Sequence, residues 1–209
     1  MVSQINTKIL LIFLSFLVVS SLLFADKVND TYQQMLKSYA KLSSWQSVIN
    51  QTNYFSQTKT SLKSSGNFYY EKGRIAIRYN KPNEQIMVVQ KGEVTMYDKA
   101  SNTALKSKLV SSVQSLNPVE IVKTYWQKSD KKLLKSVDNS TVLSIKPISD
   151  AQIKEIKVNI DSGTGYIAKL VYTDKQDNTV TITFSKMRIN KPISAAVWKL
   201  NIPANAIIH

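Results

Sequence analysis

Apolar positions along the chain change period three times, and each change predicts an element. Val28, Tyr32, Met35, Leu36, Tyr39 and Leu42 recur at three- and four-residue spacing, which predicts an amphipathic helix over residues 27–43 with Asp26 or Asn29 near its start. After Ser43-Ser44 the period becomes two: Trp45, Ser47 and Ile49 alternate with Gln46, Val48 and Asn50, and Tyr54-Phe55 follow. The same alternation returns in Phe68/Tyr70, Ile75/Ile77/Tyr79, Ile86/Val88, Leu143/Ile145, Ile156/Val158/Ile160, Leu170/Tyr172, Val180/Ile182/Phe184 and Trp198/Leu200/Ile202. Turn residues separate these runs, at Glu71-Lys72-Gly73, Asn80-Lys81-Pro82-Asn83, Lys91-Gly92, Asp138-Asn139, Asp161-Ser162-Gly163 and Asp174 to Asn178.

In Thr179-Val180-Thr181-Ile182-Thr183-Phe184, threonine takes one face and a β-branched or aromatic residue the other. That is a strand with one wet and one apolar side. Only the middle of the chain departs, where Leu109-Val110, Val113, Leu116 and Pro118 to Trp126 predict one or two short helices, Pro118 suiting a first turn. Many short, one-sided strands predict a strongly twisted sheet that curls, and its apolar concave face needs a cover. The expected fold is mainly β with helices: a curled antiparallel sheet with helices lying over its mouth, one domain spanning residues 26–209.

The N-terminus is a different kind of segment. Lys8 precedes the apolar run Ile9–Val19, which continues through Ser20-Ser21-Leu22-Leu23-Phe24 to Ala25, and Asp26 is the first acidic residue of the chain. Residues 1–25 read as a secretory signal peptide cleaved near Ala25, against the alternative of an uncleaved anchor at the bottom of the spanning range. No cysteine follows the run, so no lipid can be attached there. Export across a membrane is therefore expected.

Composition removes most chemistry. The 209 residues include no cysteine and one histidine, His209 at the end. A disulfide framework, thiolate or imidazole metal sites, a cysteine nucleophile and a histidine-based triad are excluded. No metal and no cofactor is expected. A carboxylate pair or a Ser–Lys dyad such as Ser107-Lys108 is what remains for a periplasmic hydrolase. Asp174 and Asp177 lack the glycine and distant glutamate of a calcium loop and read as a solvated turn. The charge of +14, or +13 once residues 1–25 with their single lysine are removed, attracts anionic surfaces. The lysines are dispersed without an aromatic–basic motif, so nucleic acid is not the expected partner. The excess apolar face is either plain core or the lining of a cavity for an apolar ligand, which alternation alone does not separate.

One series of residues does bear on that choice. Gly66-Asn67-Phe68-Tyr69-Tyr70, Gly73 to Pro82, Gln90-Lys91-Gly92 and Met96-Tyr97-Asp98 are similar in order and spacing to the pattern of periplasmic outer-membrane lipoprotein carrier proteins of the LolA type. That pattern runs G-x-F/L, R-P-x-x-F-x-W-x-Y-x-x-P, a D-G turn and W-x-Y-D/N. Ile156–Ile160, Asp174–Phe184 and a closing strand at Trp198–Pro203 resemble its later strands.

The resemblance implies a curled, unclosed antiparallel β-barrel covered by a helical lid, and a non-enzymatic, monomeric carrier. It would enclose the acyl chains of lipoproteins, receive them from an inner-membrane ABC-type release complex and pass them to an outer-membrane acceptor. The implied cavity residues are Phe68, Tyr70, Ile75, Ile77, Tyr79, Ile86, Val88 and Met96, with Val180, Ile182 and Phe184 opposite. The family's Arg-Pro falls on Glu71-Lys72, which leaves Lys72 or Arg74 as stand-ins for its lid contact. Ile75, Ile77 and Met96 replace family aromatics, so the lining should be aliphatic and adaptable. A lipid-binding or lipoprotein-sensing module of the same fold is the alternative.

Overall fold

The computed structural model describes residues 27–108 and 117–209. The proposed signal segment, Asp26 and the predicted helical stretch at Leu109–Leu116 lie outside the described residues. Period-two alternation produces strands that each bury one face: β1 (Ser44–Phe55), β2 (Thr60–Glu71), β3 (Arg74–Lys81), β4 (Gln85–Gln90), β5 (Glu93–Asp98), β6 (Thr103–Lys108), β7 (Ser129–Val137), β8 (Ser140–Pro147), β9 (Ile153–Asp161), β10 (Ile167–Asp174), β11 (Thr179–Ile189) and β12 (Ile207–Ile208). They form one 12-stranded sheet in the order β12-β6-β5-β4-β3-β2-β1-β11-β10-β9-β8-β7. All neighbours are antiparallel except β12 on β6. β7 and β12 form the two ends and do not pair, so the curled sheet is an unclosed barrel.

Its concave face carries the main core. Trp45, Ile49, Phe68, Ile75, Leu143, Ile145, Ile156, Val158, Ile160 and Leu170 are all nearly inaccessible. Two helices cover part of this face. Helix α1 spans residues 27–40, ending three residues before the 27–43 expected from periodicity, and buries Val28, Tyr32 and Met35. Leu42 lies past the helix yet still packs on the core. Helix α2 (Pro118–Trp126) begins with Pro118 in its first turn, where the side chain of Asn117 accepts a hydrogen bond from the Val119 amide. At its other end the Lys131 amine donates to the Trp126 carbonyl at 2.8 Å, satisfying a terminal acceptor.

The last predicted strand is not one. Residues Ala195–Trp198 make a single 3-10 turn, and residues 199–203 run without strand pairing along the convex face. Arg78 decides this. Its guanidinium donates to the carbonyls of Ala196, Val197 and Lys199 at 2.7–3.1 Å, taking acceptors that a sheet partner would need. Trp198 is thereby held against Ala76 and Val88 in a second, smaller apolar cluster outside the barrel. Strands β5, β6 and β7 do not show as alternating runs in the sequence, because lysine, serine and threonine occupy much of each one.

β2 and β3 approach each other closely at Gly66. The register shifts between Ser65 and Gly66, and a Cβ at Gly66 would overlap the Arg78 carbonyl oxygen and lie 2.7 Å from the Tyr79 Cα. Both obstacles are backbone, so no side chain can yield. Gly66→Ala is expected to cost about 2–3 kcal/mol, lowering the melting temperature by roughly 4–12 °C. An unchanged melting curve by circular dichroism would show that β2 and β3 are not locked at this distance.

Candidate functional site: an apolar cavity on the concave face

The concave face is filled at one end and empty at the other. Trp45 marks the division. Its ring packs on Phe68 of β2 at 4.8 Å, on Phe184 of β11 at 4.7 Å and edge-on to Tyr39 of α1 at 5.9 Å. On the helix side of this cluster, α1 is fastened to the β9–β10 loop. The Gln34 amide donates to the Ser162 carbonyl at 2.6 Å, the Ser38 hydroxyl donates to the Thr164 carbonyl at 2.7 Å, and the Ile167 amide donates to the Tyr39 hydroxyl at 3.2 Å. Gly165, at φ +74°, lets the loop pass beneath α1; a Cβ there would lie 2.5 Å from the Ser38 hydroxyl. Helix α2 leans on α1 through a parallel stack of Trp126 on Tyr32, centroids 3.8 Å apart.

On the other side of Trp45 lies a cavity of about 280 Å³. β1 supplies Ile49 and Gln51, β2 Phe68, β3 Ile77 and Tyr79, β4 Gln85, Ile86 and Met87, and β5 Met96. Tyr172 of β10, with Ile182 and Phe184 of β11, forms the facing wall, and Pro118 at the head of α2 reaches its edge. Register explains the grouping: Phe68, Ile77, Met87 and Met96 are successive cross-strand partners, so four adjacent strands present them in one row.

The cavity's polar groups are few and mutually engaged. The Tyr79 hydroxyl donates to the Gln51 side-chain oxygen at 2.6 Å. The Gln85 amide donates to an Asp98 carboxylate oxygen at 2.5 Å. That bond, followed by those from the Ser101 and Ala100 amides, holds the Asp98 carboxyl below its usual range. Burial raises the Tyr172 phenol well above its ordinary value. Among the described residues no ionised group lines the cavity. What it offers a ligand is aliphatic and aromatic surface, two methionines and a few neutral hydrogen-bonding groups.

Of the residues read from sequence, the structure brings Phe68, Ile77, Tyr79, Ile86, Met96, Ile182 and Phe184 to this cavity. Ile75 shares their face but is sealed in the core, and Tyr70 borders a separate crevice between α1 and α2. Val180 continues the same face one rung beyond the lining, paired with Asn53 and Tyr172. Val88 is a correction. It faces outward onto Trp198, because β4 pairs Met87, not Ile86 or Val88, with Ile77. The strand Gln-Ile-Met-Val-Val-Gln is apolar on both faces, so alternation alone could not phase it. Ile86 touches the cavity edge while packing on the outer cluster. Gln51, Met87 and Tyr172 line the cavity although sequence reasoning does not select them. Met87 follows once β4 is phased by its partners.

The lid contacts are also corrected. Arg74 forms an ion pair with Glu71 and lies 4.1 Å over the Trp198 ring, both on the convex side. Lys72 occupies the exposed β2–β3 turn in the left-handed region at φ 47°. Alternation from inward Ile75 makes Arg74 an outward residue, so it clamps the C-terminal segment and not a lid helix.

The hydrolase candidates are dispersed. Ser107 donates to the Lys108 carbonyl at 3.2 Å, not to its amine. Asp174 accepts from the amides of Gln176 and Asn178 within its own turn, and Asp177 pairs with Lys154. Among the described residues there is no cluster of three metal-ligating side chains. Nor is any helix there long and apolar enough to cross a membrane.

The chain is an open antiparallel barrel with an apolar cavity on its concave face, bordered by the head of α2. The model of the family described as outer membrane lipoprotein carrier protein LolA matches residues 40–201, and the chain belongs to that family. Outer-membrane lipoprotein carrier proteins of Cupriavidus taiwanensis and Cupriavidus necator are 27% and 26% identical over 149 and 148 residues, 68% of this chain and 69% of theirs. Among solved structures, an uncharacterized conserved protein from Thermus thermophilus superposes with a TM-score of 0.58 at 11% identity, covering 88% of this chain and 98% of that one. A chain of the Pseudomonas aeruginosa MucA/MucB complex gives 0.53 at 11% identity, covering 83% of this chain and 61% of that one. These two similarities concern the fold.

Burial pushes the Tyr79 phenol up to about 12. The folded protein therefore holds this proton more tightly than an unfolded chain, whose phenol titrates near ~10. The resulting stability is complete below pH ~10 and is lost as pH rises toward ~12. A phenolate absorbance titration of the protein minus that of Tyr79→Phe should show this one group ionising near the upper value. A difference curve centred at the ordinary phenol value would mean that the cavity is flooded.

Proposed function

We propose that this protein is a periplasmic carrier that holds the acyl chains of lipoproteins in the concave cavity while they cross between membranes. Residues 1–25 act as its signal peptide and are removed near Ala25. An inner-membrane ABC-type complex loads it, an outer-membrane acceptor unloads it, and the protein works as a monomer without catalysis. The supporting observation is the cavity itself: an uncharged, largely apolar space left open in a face whose other half is densely packed, in a chain of the lipoprotein-carrier family. The acyl-binding residues are the lining side chains Phe68, Ile77, Met87, Met96, Ile182 and Phe184, with Tyr79 and Gln51 as the polar pair at the wall.

Volume sets the terms of loading. At about 30 Å³ per buried group, the cavity admits roughly nine methylenes, worth on the order of 7 kcal/mol of transfer free energy. This is one partial acyl chain. A multiply acylated cargo would extend beyond the cavity along the uncovered part of the concave face, with Pro118 setting the head of α2 at the cavity edge. The same volume favours, as a second reading, a module that binds a single lipid chain and reports on it without transporting cargo.

Extraction of the protein from its native periplasm should yield acylated polypeptide. Recovery of a free lipid alone would favour the second reading, and recovery of neither would overturn both. In vitro, Ile77→Glu and the cavity-filling Met96→Trp should each reduce uptake of a fluorescent fatty acid at least about tenfold. Met96→Trp should keep the melting temperature within a few degrees, roughly a 1 kcal/mol effect. Undiminished uptake by Met96→Trp would place the ligand elsewhere.

A further inference from the structure

The apolar face does not stop at the cavity. Cross-strand pairing sets Gln51 beside Ser64 at the cavity mouth. The next inward rung is Leu62–Asn53–Val180, and after it comes Phe55 opposite Thr60. Here β2 has lost its other neighbour, since pairing with β3 begins only at Ser65, so residues 60–64 project as the free side of a long hairpin. Leu62 is 49% exposed and Phe55 44% exposed, with Tyr54 on the opposite face at 38%. Residues 51–65 contain Lys59 and Lys63 and no acidic residue, and both lysines are exposed. Neither takes part in the ion pairs found among the described residues. The turn end of the hairpin is held in place by the β10–β11 connection: Ser56 donates through its amide to the Asn178 side chain at 3.0 Å and through its hydroxyl to the Gln176 carbonyl.

We propose that the β1–β2 hairpin is a lip that docks the cavity mouth onto an anionic phospholipid bilayer. Phe55 and Leu62 enter the interfacial layer while Lys59 and Lys63 meet the phosphate groups. This combination of apolar side chains at a rigid tip with unpaired cations beside them is what interfacial binding needs. It rests on the carrier reading above and adds where the acyl chain crosses. Docking there holds the cavity mouth at the bilayer surface, where an acyl chain is handed over.

Co-sedimentation of the purified protein with vesicles of phosphatidylglycerol and phosphatidylethanolamine tests the lip, and fluorescent fatty-acid uptake from solution tests the cavity separately. Binding to these vesicles and not to phosphatidylcholine vesicles is expected. Phe55→Ser/Leu62→Ser should weaken it at least about tenfold, and Lys59→Ser/Lys63→Ser by about tenfold, with uptake from solution unchanged in both. Vesicle binding that survives the apolar double substitution overturns the lip, as does equal binding to neutral vesicles. Loss of solution uptake in step with vesicle binding would also overturn it, by making the hairpin part of the cavity wall. If uptake fails in the wild type while its hairpin-dependent vesicle binding persists, the carrier reading falls and the docking surface stands.

Discussion

A sheet that is apolar on one face only must hide that face, and here the concealment is incomplete. The aromatic cluster at Trp45 divides the concave surface between two fates. Toward α1 and α2, side chains interdigitate with helices and the face becomes ordinary core. Away from them the same strands continue without a cover, and the row Phe68–Ile77–Met87–Met96 fronts empty space. Phe68 and Phe184 belong to both regions, so the wall of the cavity is braced by the core and does not collapse into the void. Close packing behind the wall keeps an apolar cavity open when empty; a softer floor would relax to fill it.

The outer face makes a complementary contribution. β4 is apolar on both sides, which a solvent-washed sheet face would not tolerate, and the C-terminal segment covers its outer side together with Ala76 of β3. Arg78 ties that segment by its carbonyls and Arg74 by the Trp198 ring. The strands that form the cavity's most aliphatic wall are thus clasped from behind. Their two arginines are structural residues of the convex side.

Much of this architecture was legible from residue patterns, and the limits have physical causes. One-sided strands such as Thr179–Phe184 declare their phase because threonine and apolar residues never exchange faces. Strand β4 declares none, and only pairing to Ile77 and Met96 reveals that Met87 points inward and Val88 outward. Trp198 and Leu200 alternate as a strand would, yet they lie along the outer surface, because a guanidinium from β3 claims their neighbouring carbonyls. The cavity residues were recognisable as a set. That some of them bound empty space and others, like Ile75, are sealed in core depends on where two helices end, and no local pattern encodes that.

The sheet order has a consequence for the order of events in folding. Central strand β1 pairs with β2 a few residues away on one side and with β11 on the other, Trp45 meeting Ile189. The seam that joins the two halves of the barrel is therefore the least local antiparallel pairing among the described residues, and such contacts form slowly. A polypeptide emerging N-terminus first would complete β1 through β6 as a half-barrel, with Trp45, Ile49 and the inner face of α1 bare, long before β11 arrived. For that interval the future cavity wall is an open apolar trough with an unpaired strand edge, the state most prone to mispairing with another chain. The architecture that shelters a water-averse cargo thus has itself to be sheltered while it is being made.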